Sequence, residues 1–209
     1  MTARLTRRPG DPARLRALLD SGQTIVAPGA FDPLSARLVE EARFPAVYMT
    51  GFGTSAALIG RPDVGLLTMT EMAGNAGRIA ACVDIPVIAD ADTGYGNPLN
   101  VIRTVGAYEA AGVAGIHIED QVAPKKCGHL EGKLVIPAEE MVQKVRAAVQ
   151  ARAQPGFVII ARTDARAPEG LERALQRDRP GGHARRGDER VAHVRGVRGF
   201  HRAAPGARG

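Results

Sequence analysis

Tryptophan is absent from the chain, cysteine occurs only twice, and aromatic residues make up just 4% of its 209 residues. Two cysteines, Cys82 and Cys127, cannot form a disulfide framework and read as reduced thiols. No stretch approaches the roughly 18 apolar residues of a membrane span. The basic start, Met1 to Arg8, runs into Pro9, Gly10 and Asp11, where a secretory signal would need apolar residues. These absences predict a soluble, cytoplasmic protein with no membrane partner. What remains is ordinary globular composition, 44% hydrophobic and 24% charged, on a chain long enough for one sizeable core.

The net charge of +6 is unevenly distributed. Residues 178–209 hold eight of the 28 Lys and Arg but only three of the 22 Asp and Glu, which leaves residues 1–177 at +1. A basic stripe across a fold would suggest nucleic acid; a basic tail on a neutral body does so far less, and no nucleic-acid partner is expected. The tail has no Leu, Ile, Met, Lys, Ser or Thr, and no period of 2 or 3.6 survives in it. It reads as a disordered Arg/Gly/Ala-rich segment, or as the product of a frameshift in a G+C-rich gene.

Five short apolar runs bounded by Gly and Pro read as buried strands: Thr24–Ala30, Ala46–Gly51, Pro86–Asp92, Ala114–Asp120 and Phe157–Asp164. Amphipathic patterns between them predict helices over Pro33–Arg43, Thr70–Val83, Asn100–Ala111 and Pro137–Ala151, with a first helix over Asp11–Ser21. Pro33 and Pro137 suit a first helical turn and Thr70 a cap. Strand–helix alternation implies a parallel sheet with right-handed crossovers. No Gly-x-Gly-x-x-Gly turn follows the first strand, so the dinucleotide-binding doubly wound sheet lacks support. Polar residues at the strand ends instead suit an α/β fold of the (β/α)8 TIM-barrel type. The barrel is incomplete, with about five βα units: residues 1–177 are its N-terminal part, and 178–209 form the tail. With so few strands the chain is expected to be marginally stable and poorly active.

Residues two apart on a strand share a face. That pairs Asp90 with Asp92, His117 with Glu119, Arg162 with Asp164 and Tyr48 with Thr50, all at one rim. Clustered carboxylates need a counter-charge, and a hard divalent cation, Mg²⁺ or Mn²⁺, suits them. Asp120 and Asp164 could equally be helix caps. In the loop after the fourth run, Cys127 stands beside Lys125 and Lys126 and before Gly128 and His129. This electropositive setting favours a thiolate and acid–base use; the alternative is an incidental surface Cys. Cys82, with Ile79 and Val83, reads as core, as do Met69, Met72 and Met141, and His117 as a hydrogen-bonded core residue. Gly94-Tyr95-Gly96 suits a tight loop near an ion.

Five stretches resemble the isocitrate lyase/phosphoenolpyruvate mutase superfamily. They are Tyr48-Met-Thr-Gly-Phe-Gly, Asp90-Ala-Asp-Thr-Gly-Tyr-Gly-Asn, His117-Ile-Glu-Asp-Gln, Lys125-Lys-Cys-Gly-His-Leu and Ile160-Ala-Arg-Thr-Asp-Ala. The resemblance spans about Asp11 to Arg177, and the Lys-Cys-Gly-His loop looks like that of the short lyases rather than the phosphonate-forming mutases, which lack this Cys. It implies Mg²⁺ on Asp90 and Asp92, with Asp63 and Glu119 around them. It further implies a substrate carboxylate bound by Thr50, Gly51 and Phe52 and clamped by Arg162, and a closing loop carrying Lys125, Cys127, Gly128 and His129. The implied reaction is carbon–carbon cleavage of a small 2-hydroxy di- or tricarboxylic acid to a 2-oxo acid and a carboxylate. Cys127 would be the general acid, and Tyr48 or a metal-bound water the base. Phosphonate or oxaloacetate chemistry, or an inactive fragment, are the alternatives; intact relatives are expected to be homotetramers.

Overall fold

A computed structural model describes residues 11–127, 130–178 and 191–193 of the chain. Helix α1 (Pro12–Asp20) precedes strand β1 (Gly29–Ala30), and α2 (Pro33–Glu41) leads to β2 (Val47–Met49). Helices α3 (Gly51–Ile59) and α4 (Met69–Cys82) follow, then β3 (Val87–Asp90), α5 (Pro98–Ala111) and β4 (Gly115–Glu119). The remaining elements are α6 (Ala138–Ala151), β5 (Val158–Arg162), α7 (Arg166–Glu169), α8 (Leu171–Asp178) and β6 (Val191–His193). The strands run parallel in the order β1-β2-β3-β4-β5-β6. A doubly wound sheet would reverse direction at a switch point; this sequential order is that of a (β/α)8 barrel wall. Among the described residues, no helix is long and apolar enough to cross a membrane.

The two faces of the sheet do different work. Val47, Met49, Val87, Ala89, Ile116, Ile118, Ile159 and Ala161 belong to the large core under the helices. Facing the other way are Ile88, Val158 and Ile160, joined by Leu15 of α1 and Ala114 in a smaller cluster. Farther along the same strands, this inner face carries Asp90, His117, Glu119 and Arg162, with Asp90 in register with His117 and Glu119 with Arg162. Thus α1 plugs the N-terminal end of the inner face, and the charged groups occupy the C-terminal end. Cys82, Met69, Met72 and Met141 all join the large core, as expected from sequence.

Gly115 lets β4 and β5 close. It pairs with Val158, whose carbonyl oxygen and Cβ would lie 2.7 and 2.8 Å from an added Cβ. Both neighbours are backbone or branched at Cβ and cannot swing aside. Gly115→Ala is therefore expected to destabilise the fold by about 1–3 kcal/mol, read as a lower urea midpoint with an unchanged slope.

Several boundaries depart from the sequence reading. The first strand shortens from Thr24–Ala30 to Gly29–Ala30. Pro28 precedes it without an N–H, although its carbonyl accepts from Tyr48 N. Helix α3 was not expected, because its apolar, glycine-containing sequence shows no amphipathic period. Thr50 caps its start and Gly60, in the left-handed region, ends it. The cap of α4 is Thr68, in a capping box with Glu71, rather than Thr70. Pro137 stands just before α6 rather than inside its first turn. Finally, β6 lies within the segment where no pattern was legible, and pairs with β5. The rest of that segment, residues 179–190 and 194–209, lies outside the described residues.

Candidate functional site

At the C-terminal rim of the inner face, four acids are buried together: Asp63, Asp90, Asp92 and Glu119. Asp90 ends β3. Asp92 is no longer in the strand, and its φ of 48° turns the chain into the left-handed region, followed by Gly94 at 81° and Tyr95 at 59°. The two aspartates therefore meet through a tight turn, not through the strand alternation expected from sequence. Asp90 Oδ1 accepts from the Asp92 N–H at 2.9 Å, and Asp90 Oδ2 from the Gly51 N–H at 3.2 Å. A Cβ on Gly51 would stand 2.6 Å from that same Oδ2 and would push the carboxylate from its present place.

The positive charge comes from Lys125 and Arg162. Buried Lys125 reaches in from the loop after β4, bonding Asp63 and standing 2.7 Å from Asp92 Oδ1. That contact is an ion pair without hydrogen-bond geometry, so this buried oxygen lacks a proper donor. Arg162 spans Glu119 at 3.3 Å and Asp164 at 2.9 Å. Burial pushes Asp92 up to about 6, helped by Asp90 and opposed by Lys125. Burial acts on Asp90 as well, but His117, Lys125 and the Asp92 N–H outweigh it, and its carboxyl is lowered. Burial likewise raises Glu119 despite Arg162. Lys125 is raised: burial disfavours its charge, and Asp92, Asp90 and Asp63 more than restore it.

Tyr48 points its hydroxyl at His117 Nδ1, 2.9 Å away. Burial, then the Asp90 carboxylate, pushes the phenol well above its ordinary value. A phenol held protonated in this way is a donor, which weighs against Tyr48 as the base. Thr50 Oγ1 accepts from Gly53 N at 3.4 Å as the α3 cap, and Phe52 is exposed. Of the groups implied to face a substrate carboxylate, the Gly51 N–H is engaged by Asp90, while the Thr50 hydroxyl uses only its oxygen as an acceptor.

Cys127 is buried and carries no disulfide. Both lysines beside it have partners of their own. The acid cluster draws Lys125 inward, and Lys126 Nζ donates to the Glu131 carbonyl at 3.3 Å. Gly128 and His129 lie outside the described residues. The loop is tied at its base: Val122 N bonds Leu134 O, and Ile136 N bonds Asp120 O, both at 2.8 Å.

Neither Asp120 nor Asp164 caps a helix. Asp120 accepts from Thr163 Oγ1 at 2.7 Å and from the Asp164 N–H at 2.9 Å, and Arg177 stands 3.4 Å away. Asp164 accepts from Arg162 and from Gln121 Nε2 at 3.0 Å. Sequence reasoning missed Gln121, whose amide also reaches Glu119 Oε1 at 3.0 Å and the Lys126 carbonyl at 2.9 Å, while its Oε1 accepts from Lys126 N. Its only signal was its place as the last residue of the His117-Ile-Glu-Asp-Gln stretch, where it was given no role. A lone polar residue in a loop has no period to reveal it.

His117 is buried, and its pKa is lowered to about 4 chiefly by desolvation, which Asp90 partly offsets. The unfolded chain protonates near 6.5, so stability is full above that value and is lost as pH falls toward 4. The loss is about 3 kcal/mol. In His117→Asn this part of the acid decline should disappear from thermal unfolding measured between pH 7 and 4; an unchanged slope would show that other groups cause it.

Comparison with known proteins agrees with this geometry. Residues 15–180 match the family described as phosphoenolpyruvate phosphomutase. The 2,3-dimethylmalate lyase of Eubacterium barkeri is 55% identical over 165 residues, covering 79% of this chain and 57% of that protein. Among solved structures, oxaloacetate acetylhydrolase bound to 3,3-difluorooxalacetate is 45% identical with a TM-score of 0.76, over 79% of this chain and 58% of that one. Phosphonopyruvate hydrolase in complex with oxalate and Mg²⁺ is 40% identical with a TM-score of 0.73, over 80% and 58%. The chain thus spans a little over half the length of these relatives. Sequential parallel strands, acids massed at their C-terminal ends and the match across residues 15–180 converge: the chain belongs to the phosphoenolpyruvate phosphomutase family, within the isocitrate lyase/phosphoenolpyruvate mutase superfamily.

Proposed function

We propose that residues 1–177 form the N-terminal part of a divalent-cation-dependent lyase domain, which cleaves a carbon–carbon bond in a small 2-hydroxy di- or tricarboxylic acid. The observation that carries this reading is the buried acid cluster at the rim, short of counter-charge. Among the described residues no three potential ligands stand ready as a closed metal cage. Mg²⁺ needs none, since it takes one or two carboxylates and keeps several waters. Asp90 and Asp92 fit that demand. They are adjacent, hard oxygen donors, and Asp92 Oδ1 lacks a proper hydrogen bond. Asp63 and Glu119 would hold the surrounding water.

When bound, the cation would lower the cost of removing the substrate hydroxyl proton and steady the 2-oxo product. Arg162, 31% exposed at its side chain, is the group positioned to grip a substrate carboxylate with its fork. Cys127 would deliver its thiol proton to the carbanion carbon of the departing carboxylate fragment. Lys125 would release part of its hold on Asp92 once a cation shares the charge. Support for a lyase comes from Cys127 together with the 55% identity to 2,3-dimethylmalate lyase. A second reading, cleavage of a 2-oxo dicarboxylate by water, is favoured by the 45% identity to oxaloacetate acetylhydrolase. Product analysis separates them, since that reaction would leave oxalate or its analogue rather than a 2-oxo monoacid.

The test is Mn²⁺ binding followed by electron paramagnetic resonance. Asp90→Ala and Asp92→Ala are each expected to weaken affinity by at least about tenfold to hundredfold, the scale already seen when mere supporting groups are lost. Parent-like affinity in both variants would remove the site.

A further inference from the structure

The turn that carries Asp92 is braced from beneath by side chains that the proposed chemistry does not use. Each carbonyl from Asp90 to Gly94 accepts a hydrogen bond. Tyr108 Oη donates to Asp90 O at 2.9 Å, Gly94 N to Ala91 O at 2.8 Å, and Glu119 N to Asp92 O at 2.9 Å. Thr104 Oγ1 stands 3.1 Å from Gly94 O and shares its one proton between that carbonyl and Asn100 O at 2.9 Å. The remaining carbonyl, Thr93 O, is met by Lys144 Nζ of α6, also at 3.1 Å.

Lys144 is an unusual choice for that place. It is 4% exposed, and burial lowers its pKa, so its charge is held at a cost. Among the described residues, Thr93 O is its only hydrogen-bond partner. A lysine stem laid along the core with its head group spent on one main-chain carbonyl contributes little that a methionine would not contribute to packing. The carbonyl it holds, however, directly follows Asp92, a non-glycine residue in the left-handed region. Such a backbone conformation persists only when its surroundings over-determine it.

We infer that Lys144 is a positioning residue: by fixing the Thr93 carbonyl it holds the turn that aims the Asp92 carboxylate at the rim. The inference rests on the cation site proposed above, and its test includes a readout that needs no metal. In Lys144→Met, hydrogen–deuterium exchange of the hydrogen-bonded amides of Ala91, Asp92 and Gly94 is expected to quicken, with β2 amides, which bond Pro28 and Pro86 rather than the turn, unchanged. Mn²⁺ affinity is expected to fall by about tenfold to hundredfold, while the unfolding temperature stays level or rises, because a buried ammonium has been removed. A merely structural lysine would lower stability and leave affinity intact. Lys144→Gln, a shorter neutral donor, serves if the methionine variant does not fold. Unchanged exchange across residues 91–94 overturns the inference. Should the parent bind no Mn²⁺, the cation reading fails, while faster exchange in the variant still upholds the role of Lys144.

Discussion

Cys127→Ser is expected to lower turnover by about 100- to 10,000-fold, the range supplied by a positioned acid or base, with substrate affinity largely kept. The sulfur and oxygen side chains are close in size, so the loop should seat alike. The difference lies in acidity: an unperturbed thiol titrates near 8.5, while an alcohol stays far above the working range and cannot give up its proton to a carbanion at a useful rate. Because the matched relatives extend well beyond this chain, the comparison is best made both in the 209-residue chain and in a chimera joining residues 1–177 to the C-terminal part of the Eubacterium barkeri lyase. Release of the 2-oxo acid from 2-methylisocitrate or 2,3-dimethylmalate is the measured quantity. Near-parental turnover by the serine variant would show that another group protonates the product.

The second large effect concerns Lys125. Its ammonium is the principal counter-charge of Asp63 and Asp92, all three being buried. Removing one member of a buried ion pair costs roughly 3–5 kcal/mol, a large part of the roughly 5–15 kcal/mol that holds a domain together. Lys125→Met should therefore lower the thermal midpoint sharply at pH 8 in the absence of divalent cations. The gap should narrow in acid. Asp92 is already raised to about 6 with Lys125 in place; without the ammonium it rises further, takes up a proton and relieves the repulsion. Added Mn²⁺ should narrow the gap as well, because acids freed of Lys125 would bind the cation more tightly than those of the parent, and each tenfold gain in affinity adds about 1.4 kcal/mol of stabilisation at saturating metal. A variant as stable as the parent at pH 8 without metal would mean that the cluster needs no internal cation.

Much of this arrangement was legible in the residues. Strands β3, β4 and β5 stood out because buried parallel strands are continuous β-branched runs, and Asp90, Glu119 and Arg162 stood at their ends. The structure puts all three on one face. The aspartate pair was placed together for an incomplete reason, since the turn at Asp92 is set by hydrogen bonds from α5 and α6 that no local pattern announces. The same blindness hid Lys144, which reads in sequence as one more polar position on an amphipathic helix. Helix α3 escaped because glycine and small residues blur the 3.6-residue period. The inward path of Lys125 was not legible, because sequence adjacency says nothing about where a long side chain goes once four buried acids compete for it.

The plug formed by Leu15 against Ala114, Val158 and Ile160 has a consequence for how such a protein can diverge. The inner face is built in storeys. Its lower storey is filled with hydrocarbon and tied to an N-terminal helix, and its upper storey holds the acids and bases. Altering an upper residue changes which bond is attacked or which acid fits, yet leaves the foundation that keeps the strands together untouched. Inheritance can therefore rewrite the reaction while conserving the architecture beneath it, as lyases and hydrolases at 55%, 45% and 40% identity to one chain illustrate.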